Sequence, residues 1–194
     1  MRLEGRYIYN TRSKPLAVVI NDGEPGTHTL VNLYERMTVL VKNSQYFEHN
    51  GLLCIVRLNA KEVYKITTDH RLKWILTVLP FVRFLVSEDD HCDDFALQKL
   101  AQGTHGIWLE ATAYTGMAQN QHYEALILSG GTLTNEQVPH LINQMYRFCE
   151  RIVIQITKEQ QVELPEIEQL NLWGIQYYDD VHPLETVLDN LKAV

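Results

Sequence analysis

The sequence predicts an α/β protein assembled from parallel strand–helix units. Short apolar runs alternate with longer amphipathic or polar stretches along the chain. The runs are apolar almost throughout, as expected of strands covered on both faces. No Gly/Ser-rich or Pro-rich linker, internal repeat or low-complexity tract divides the 194 residues. That length supports one domain, 1–194, with a sizeable core. Pattern alone fits a doubly wound sheet and a β/α barrel equally well.

The elements follow in order. RYIYNTRSKPLAVVIND (6–22) reads as two strands of a hairpin, or one strand folded onto the next, around a turn-like TRSKP. Residues 28–43 read as a helix with Leu30, Leu33, Met37 and Leu40 on its core stripe. Residues 51–59 read as a strand, and 62–79 as one helix closed by Pro80. A strand over 81–89 precedes a helix over 93–103 with an acidic first turn and a glycine end. Strands are predicted at 106–114 and 124–131, then a helix at 135–150 that Asn135 can cap. A strand at 151–157, a polar helix at 159–171, a strand at 173–180 and a helix at 183–194 complete the chain.

Charge and composition exclude several classes. The formal net charge is −7 and the pI about 5.6, so an unaided hold on a phosphate backbone is disfavoured. The densest basic stretch, His70-Arg71-Leu72-Lys73, holds only two fixed charges. No run reaches the ~18 apolar residues that a bilayer demands, and MRLEGRYIYN has no signal core. Cys54, Cys92 and Cys149 are odd in number and far apart, which fits a reducing cytoplasm.

Several strand ends carry a resemblance. RFLVSEDD, IWLEATAYTG, LILSGGTL, IVIQITKEQ and IQYYDDVHPLE follow one another with the spacing of the strands of the EAL domain, the cyclic di-GMP phosphodiesterase barrel. IYNTRSKPLAVVIND resembles the opening segment of that family, and CIVRLNAKEV its Asn-Leu-Ser strand. Tyr9, Asn10, Glu88, Gln176 and Pro183 are the best-matched positions. The resemblance spans nearly the whole chain and implies an EAL-like β/α (TIM-type) barrel. The stretch after Asp22 is short, so this barrel is expected to lack its first helix and to expose apolar surface there.

EAL enzymes resemble other two-metal phosphodiesterases, in which acidic side chains and an Asn at strand ends hold divalent cations that activate a water. Carried over one position at a time, the EAL glutamate falls on Ile20 and the Asn of the Asn-Leu-Ser strand on Arg57. The first Glu of the next strand falls on Leu85, and the paired aspartates on Glu110 and Ala111. The catalytic Lys and the Asp after it fall on Ile127 and Ser129, and a late Glu on Gln155. Only Glu88 and Glu110 stay acidic. Isoleucine and leucine offer no ligand to a hard cation, and Arg57 adds positive charge. Where the family places a phosphate-holding Arg, this chain has Gly23-Glu24-Pro25.

Other motifs have plainer readings. Glu88–Asp94 reads as an acidic helix start rather than a metal cluster. His91, His105 and His122 read as loop histidines, although strand ends could bring them together. Cys54 and Cys149 read as core, and LSGG lacks the ending of a phosphate loop. Tyr177-Tyr178-Asp179-Asp180 reads as a barrel strand end, with a surface patch as the alternative.

The resemblance therefore implies a degenerate, catalytically inactive EAL-like domain acting through a protein partner. The expected partner is a bacterial transcription regulator controlling motility, adhesion or virulence genes. No metal, cofactor, catalytic residue, direct nucleic-acid contact or membrane contact is expected, and cyclic di-GMP is not expected to bind. The partner-binding residues are not legible. A non-catalytic cyclic di-GMP receptor is the alternative, and an active phosphodiesterase with unusual ligands a third reading.

Overall fold

A computed structural model describes residues 3–22, 30–111, 123–129, 137–159 and 170–193. Eight strands close into one barrel in chain order, β1 to β8. They are β1 Leu3–Tyr9, β2 Pro15–Asp22, β3 Leu53–Arg57, β4 Val82–Ser87, β5 Ile107–Ala111, β6 Tyr123–Ser129, β7 Cys149–Ile156 and β8 Gly174–Pro183. Strands β2 to β8 are mutually parallel. The first strand runs against both of its neighbours, β2 and β8. The opening segment is thus a hairpin. Asn10 builds its turn: its side-chain oxygen accepts from the amides of Arg12 and Lys14, both at 2.9 Å. Ser13 takes the left-handed conformation there, with φ 60°.

The described helices are α1 Leu30–Asn50, α2 Ala60–Thr68, α3 His70–Thr77, α4 Asp94–Ala101, α5 Gln137–Met145 and α6 Leu184–Lys192. The sequence predicted one helix over 62–79, but the structure breaks it at Asp69. That residue is the C-cap of α2 and also the N-cap of α3, accepting from the Arg71 amide at 2.8 Å. The Tyr34 hydroxyl and Lys65 also bind its carboxylate, and the two together hold it well below the usual carboxylate range. The helix expected over 135–150 ends at Met145, and Cys149 already belongs to β7. The segment after Asp22, most of the helix expected at 159–171, Asn135 and His122 lie outside the described residues.

Two apolar layers result from the two faces of the strands. The lumen is filled by Ile8, Ala17, Val19, Ile55, Leu85, Trp108, Ala125, Ile127 and Val153. The larger layer lies between barrel and helices and includes Val18, Ile20, Val56, Phe84, Leu126 and Ile154. Leu33, Met37 and Leu40 of α1 are buried in it, as their spacing predicted. At the N-terminal end of the lumen, Glu124 accepts from Arg83 and Arg151, both at 2.7 Å. A Cβ at Gly106 would sit 1.6 Å from the Glu124 Oε2 and would push the carboxylate from this position. Arg151 also lies over the Trp173 ring at 5.3 Å. The barrel is therefore a packed core closed at this end.

Cys54 and Cys149 are buried in the outer layer, as expected, and Cys92 is half-buried. Burial raises the Cys54 thiol far above its ordinary value and pushes Cys92 and Cys149 up to about 11. All three are accordingly protonated at pH 8. The folded protein is expected to react with a thiol-disulfide reagent at pH 8 far more slowly than the urea-unfolded chain. Because the folded state holds these protons more tightly, stability is expected to fall as pH rises from about 9 through 11. Rapid labelling of folded protein would contradict this.

Candidate functional site

Because β2 to β8 are parallel, their C-terminal ends gather at one mouth, where β1 begins. Active sites of β/α barrels are built at this end. Side chains alternate along each strand, so the lumen residues fix which polar residues face the mouth. Beyond Ala17 and Val19 on β2 comes Asn21; beyond Ile55 on β3 comes Arg57. Ser87 follows Leu85, Glu110 follows Trp108, Ser129 follows Ile127, and Gln155 follows Val153. On antiparallel β1, Glu4 and Arg6 precede Ile8 on the same face.

These mouth residues bind one another. Arg57 crosses over β4 to reach Glu110, with Nη2 2.6 Å from Oε2. Gln155 donates to Gln176 on β8 at 3.0 Å, with both side chains buried. Ser129 pairs with the Tyr178 hydroxyl. Two polar atoms at this end stand apart: Arg6 Nε and Asn21 Oδ1 are buried with no hydrogen-bond partner among the described residues.

Among the positions expected at the site, Arg57, Ser129 and Gln155 stand in the mouth. Leu85 and Ile127 lie one layer deeper, in the lumen that forms its floor. Ile20 and Ala111 do not stand there. Ile20 is 1% exposed in the layer between barrel and helices, and Ala111 packs against that same layer. The physical reason is the two-residue period: a one-residue slip in alignment moves a side chain to the opposite face. The mouth residue of β2 is Asn21. Counting alternation from Ala17 and Val19 would have found it, and the same counting finds Ser87. Arg6, Glu4 and Tyr178 required the strand pairing itself.

The two divalent cations that the EAL resemblance implies would find Glu4 and Glu110 as the carboxylates on the lumen face of the described mouth strands. A hard cation needs several oxygen ligands, most of them charged. Here Glu110 is engaged by the Arg57 guanidinium, and Arg6 shares the face of Glu4. Among the described residues, no group of three or more His, Cys, Asp or Glu is placed to hold a metal ion. Two members of the acidic run after β4, Asp90 and Asp93, are occupied in capping. Asp93 accepts from the Ala96 amide at 2.9 Å, and Asp90 from the Ser87 amide at 3.3 Å. His91 takes the left-handed position that ends the turn, with φ 44°.

His105 is not a solvated loop residue. It is buried at the opposite end of the barrel from His91, its Nδ1 2.9 Å from the Val82 carbonyl. Tyr177 packs against the Tyr9 ring at 6.1 Å, and the Tyr9 hydroxyl donates to Asp180 at 2.8 Å. Burial, reinforced by that hydrogen bond, raises the Tyr9 phenol. These contacts tie β1 to β8 and make the Tyr-Tyr-Asp-Asp stretch part of the barrel seam.

No protein-family model and no curated protein matches the sequence. Solved structures do match in shape. The EAL-like domain protein YdiV superposes with a TM-score of 0.77 at 14% identity, covering 98% of this chain and 95% of that one. The EAL domain of Mycobacterium smegmatis DcpA gives 0.72 at 12% identity, covering 100% and 96%. The PaMucR phosphodiesterase, in complex with c-di-GMP, gives 0.67 at 15% identity, covering 96% and 98%. With its closed eight-strand barrel and single reversed strand, this chain has the fold of the EAL-domain proteins.

Proposed function

We propose that the chain is a catalytically inactive EAL-like regulator that works by binding another protein. The Arg57–Glu110 ion pair carries this reading. It supports the reading because a fixed positive charge at the barrel mouth disfavours divalent cations and engages a carboxylate that could otherwise bind one. The partner best suited to a chain of net charge −7 is basic, as a DNA-binding transcription regulator is. Competition with DNA for that regulator would control motility, adhesion or virulence genes. The protein would act in the cytoplasm. No helix among the described residues is long and apolar enough to cross a membrane.

A cyclic di-GMP receptor without catalysis is the second reading. The unpartnered Arg6 Nε and Asn21 Oδ1 at the mouth favour it, as does the likeness to PaMucR, whose structure holds c-di-GMP. Calorimetric titration with cyclic di-GMP, in Mg²⁺ and again in Ca²⁺, separates the readings. The expected result is no heat up to high micromolar nucleotide and no linear product. Saturable heat without product would put the receptor reading first, and hydrolysis would overturn both.

A further inference from the structure

The break at Asp69 has a consequence on the outer surface. Helix α4 packs against α2, while α3 leaves a half-open groove of about 340 Å³ beside α4. Its floor is apolar: Ile66 from α2, Leu76 from α3, Phe84 from β4 and Leu100 from α4. The charged side chains that line it are Lys73 and Lys99, and no carboxylate does. Neither lysine has an ion-pair partner among the described residues. The volume is at the lower end of the range of small-molecule pockets, and the groove is open on one side. That shape suits an anchor for one or two side chains better than an enclosed ligand.

The surroundings extend the patch. The exposed large apolar residues among those described are Val41, Tyr64, Trp74, Val78 and Phe95, and all but Val41 belong to this α2–α4 region. Trp74, 71% exposed, follows Lys73 on α3 and stands outside the groove lining, and Val78 lies one helical turn further on the same face as Trp74. Phe95, 72% exposed, precedes Lys99 by four residues and so shares its face of α4. Exposed aromatic side chains are enriched at interface centres, and the lysines fit the polar rim.

We propose that this α3–α4 groove docks an acidic amphipathic segment carried by the otherwise basic partner. Apolar residues of that segment fill the cavity, and its carboxylates meet Lys73 and Lys99. The proposal rests on the protein-binding reading and names its surface. Charge complementarity selects the occupant, because the lining is cationic in a chain that is acidic as a whole. A second copy is the poorer fit. A groove meeting an acidic face elsewhere on an identical chain makes a heterologous contact, which closes only into rings or runs on as a filament.

The test uses the full chain and a fluorescein-labelled helical peptide with Leu at i, i+3, i+4 and i+7 and Glu elsewhere. A control peptide carries Lys in place of each Glu. Fluorescence anisotropy is expected to show saturable binding of the acidic peptide, weakened by salt, and none of the basic one. Trp74→Ala and the double variant Lys73→Glu/Lys99→Glu are each expected to weaken binding at least ten-fold. These positions are exposed, so far-ultraviolet circular dichroism should be unchanged. Trp74 emission is expected to shift blue on binding, a change absent from Trp74→Phe. Equal binding of both peptides, no acidic-peptide binding, or unchanged affinity in the double variant would overturn the groove. A dimer that dissolves in Trp74→Ala would also overturn it, with a second copy as occupant. The groove is judged on these results alone, whereas cyclic di-GMP hydrolysis would overturn the regulatory reading itself.

Discussion

Glu62→Ala is expected to lower the free energy of unfolding by about 3–5 kcal/mol. Glu62 on α2 pairs with Arg36 on α1, and both side chains are fully buried. Removing the carboxylate takes one buried charge away from the fully buried guanidinium it pairs with, the costly case for a buried pair. The same carboxylate completes a capping box. Its Oε2 accepts from the Asn59 amide at 3.1 Å, while the Asn59 side chain accepts from the Glu62 amide at 3.0 Å. The loss of a cap adds to the effect. Arg36 further donates to the backbone carbonyl of Arg57. The pair therefore joins α1, α2 and the end of β3, directly behind the residue that crosses the mouth. Urea unfolding is the measurement, with the midpoint expected to move and the slope to stay. The double variant Arg36→Met/Glu62→Leu is expected to recover much of the loss, because it removes both charges together. A loss below about 1 kcal/mol in Glu62→Ala would contradict the reading of Arg36 as dependent on this carboxylate.

The strands at the barrel's centre were legible because their residues are apolar on both faces. LCIVR, YEALILS and RIVIQI fit no half-exposed strand. Closure into a barrel was not legible from pattern, since it depends on β1 pairing with both β2 and β8. The break at Asp69 was hidden for a chemical reason. Apolar periodicity continues from Val63 and Ile66 to Leu72 and Leu76, while one aspartate ends one helix and starts the next. At the mouth, Arg57 and Gln155 stand where alternation puts them, two residues beyond Ile55 and Val153. Ile20 was misplaced because the carry-over slipped by one residue: alternation from Ala17 and Val19 puts Asn21, not Ile20, on the lumen face. The α3–α4 groove was invisible for a different reason. Its lining comes from four elements that only the fold brings together.

Trp108 provides the second large effect, and its two substitutions should differ sharply. The indole is fully buried in the lumen, edge-on to Trp173 at a centroid distance of 5.3 Å. Trp108→Ala empties much of the lumen, whose walls belong to a closed sheet and cannot collapse inward. The expected cost is about 3–5 kcal/mol. Trp108→Phe keeps an aromatic ring in place and removes one specific defect. The indole Nε1 is buried with no hydrogen-bond partner among the described residues. An unsatisfied buried donor costs about 1–3 kcal/mol, so its removal offsets much of the lost packing. The phenylalanine variant is therefore expected to cost less than the alanine one, by about 1–3 kcal/mol. Denaturant unfolding of the two variants decides the matter. If phenylalanine costs as much as alanine, the indole N–H is satisfied after all, and the lumen holds a polar partner for it. In that case the floor beneath Arg57 and Glu110 is wet rather than closed. A wet floor would let the mouth take up small polar ligands and would strengthen the nucleotide-receptor reading.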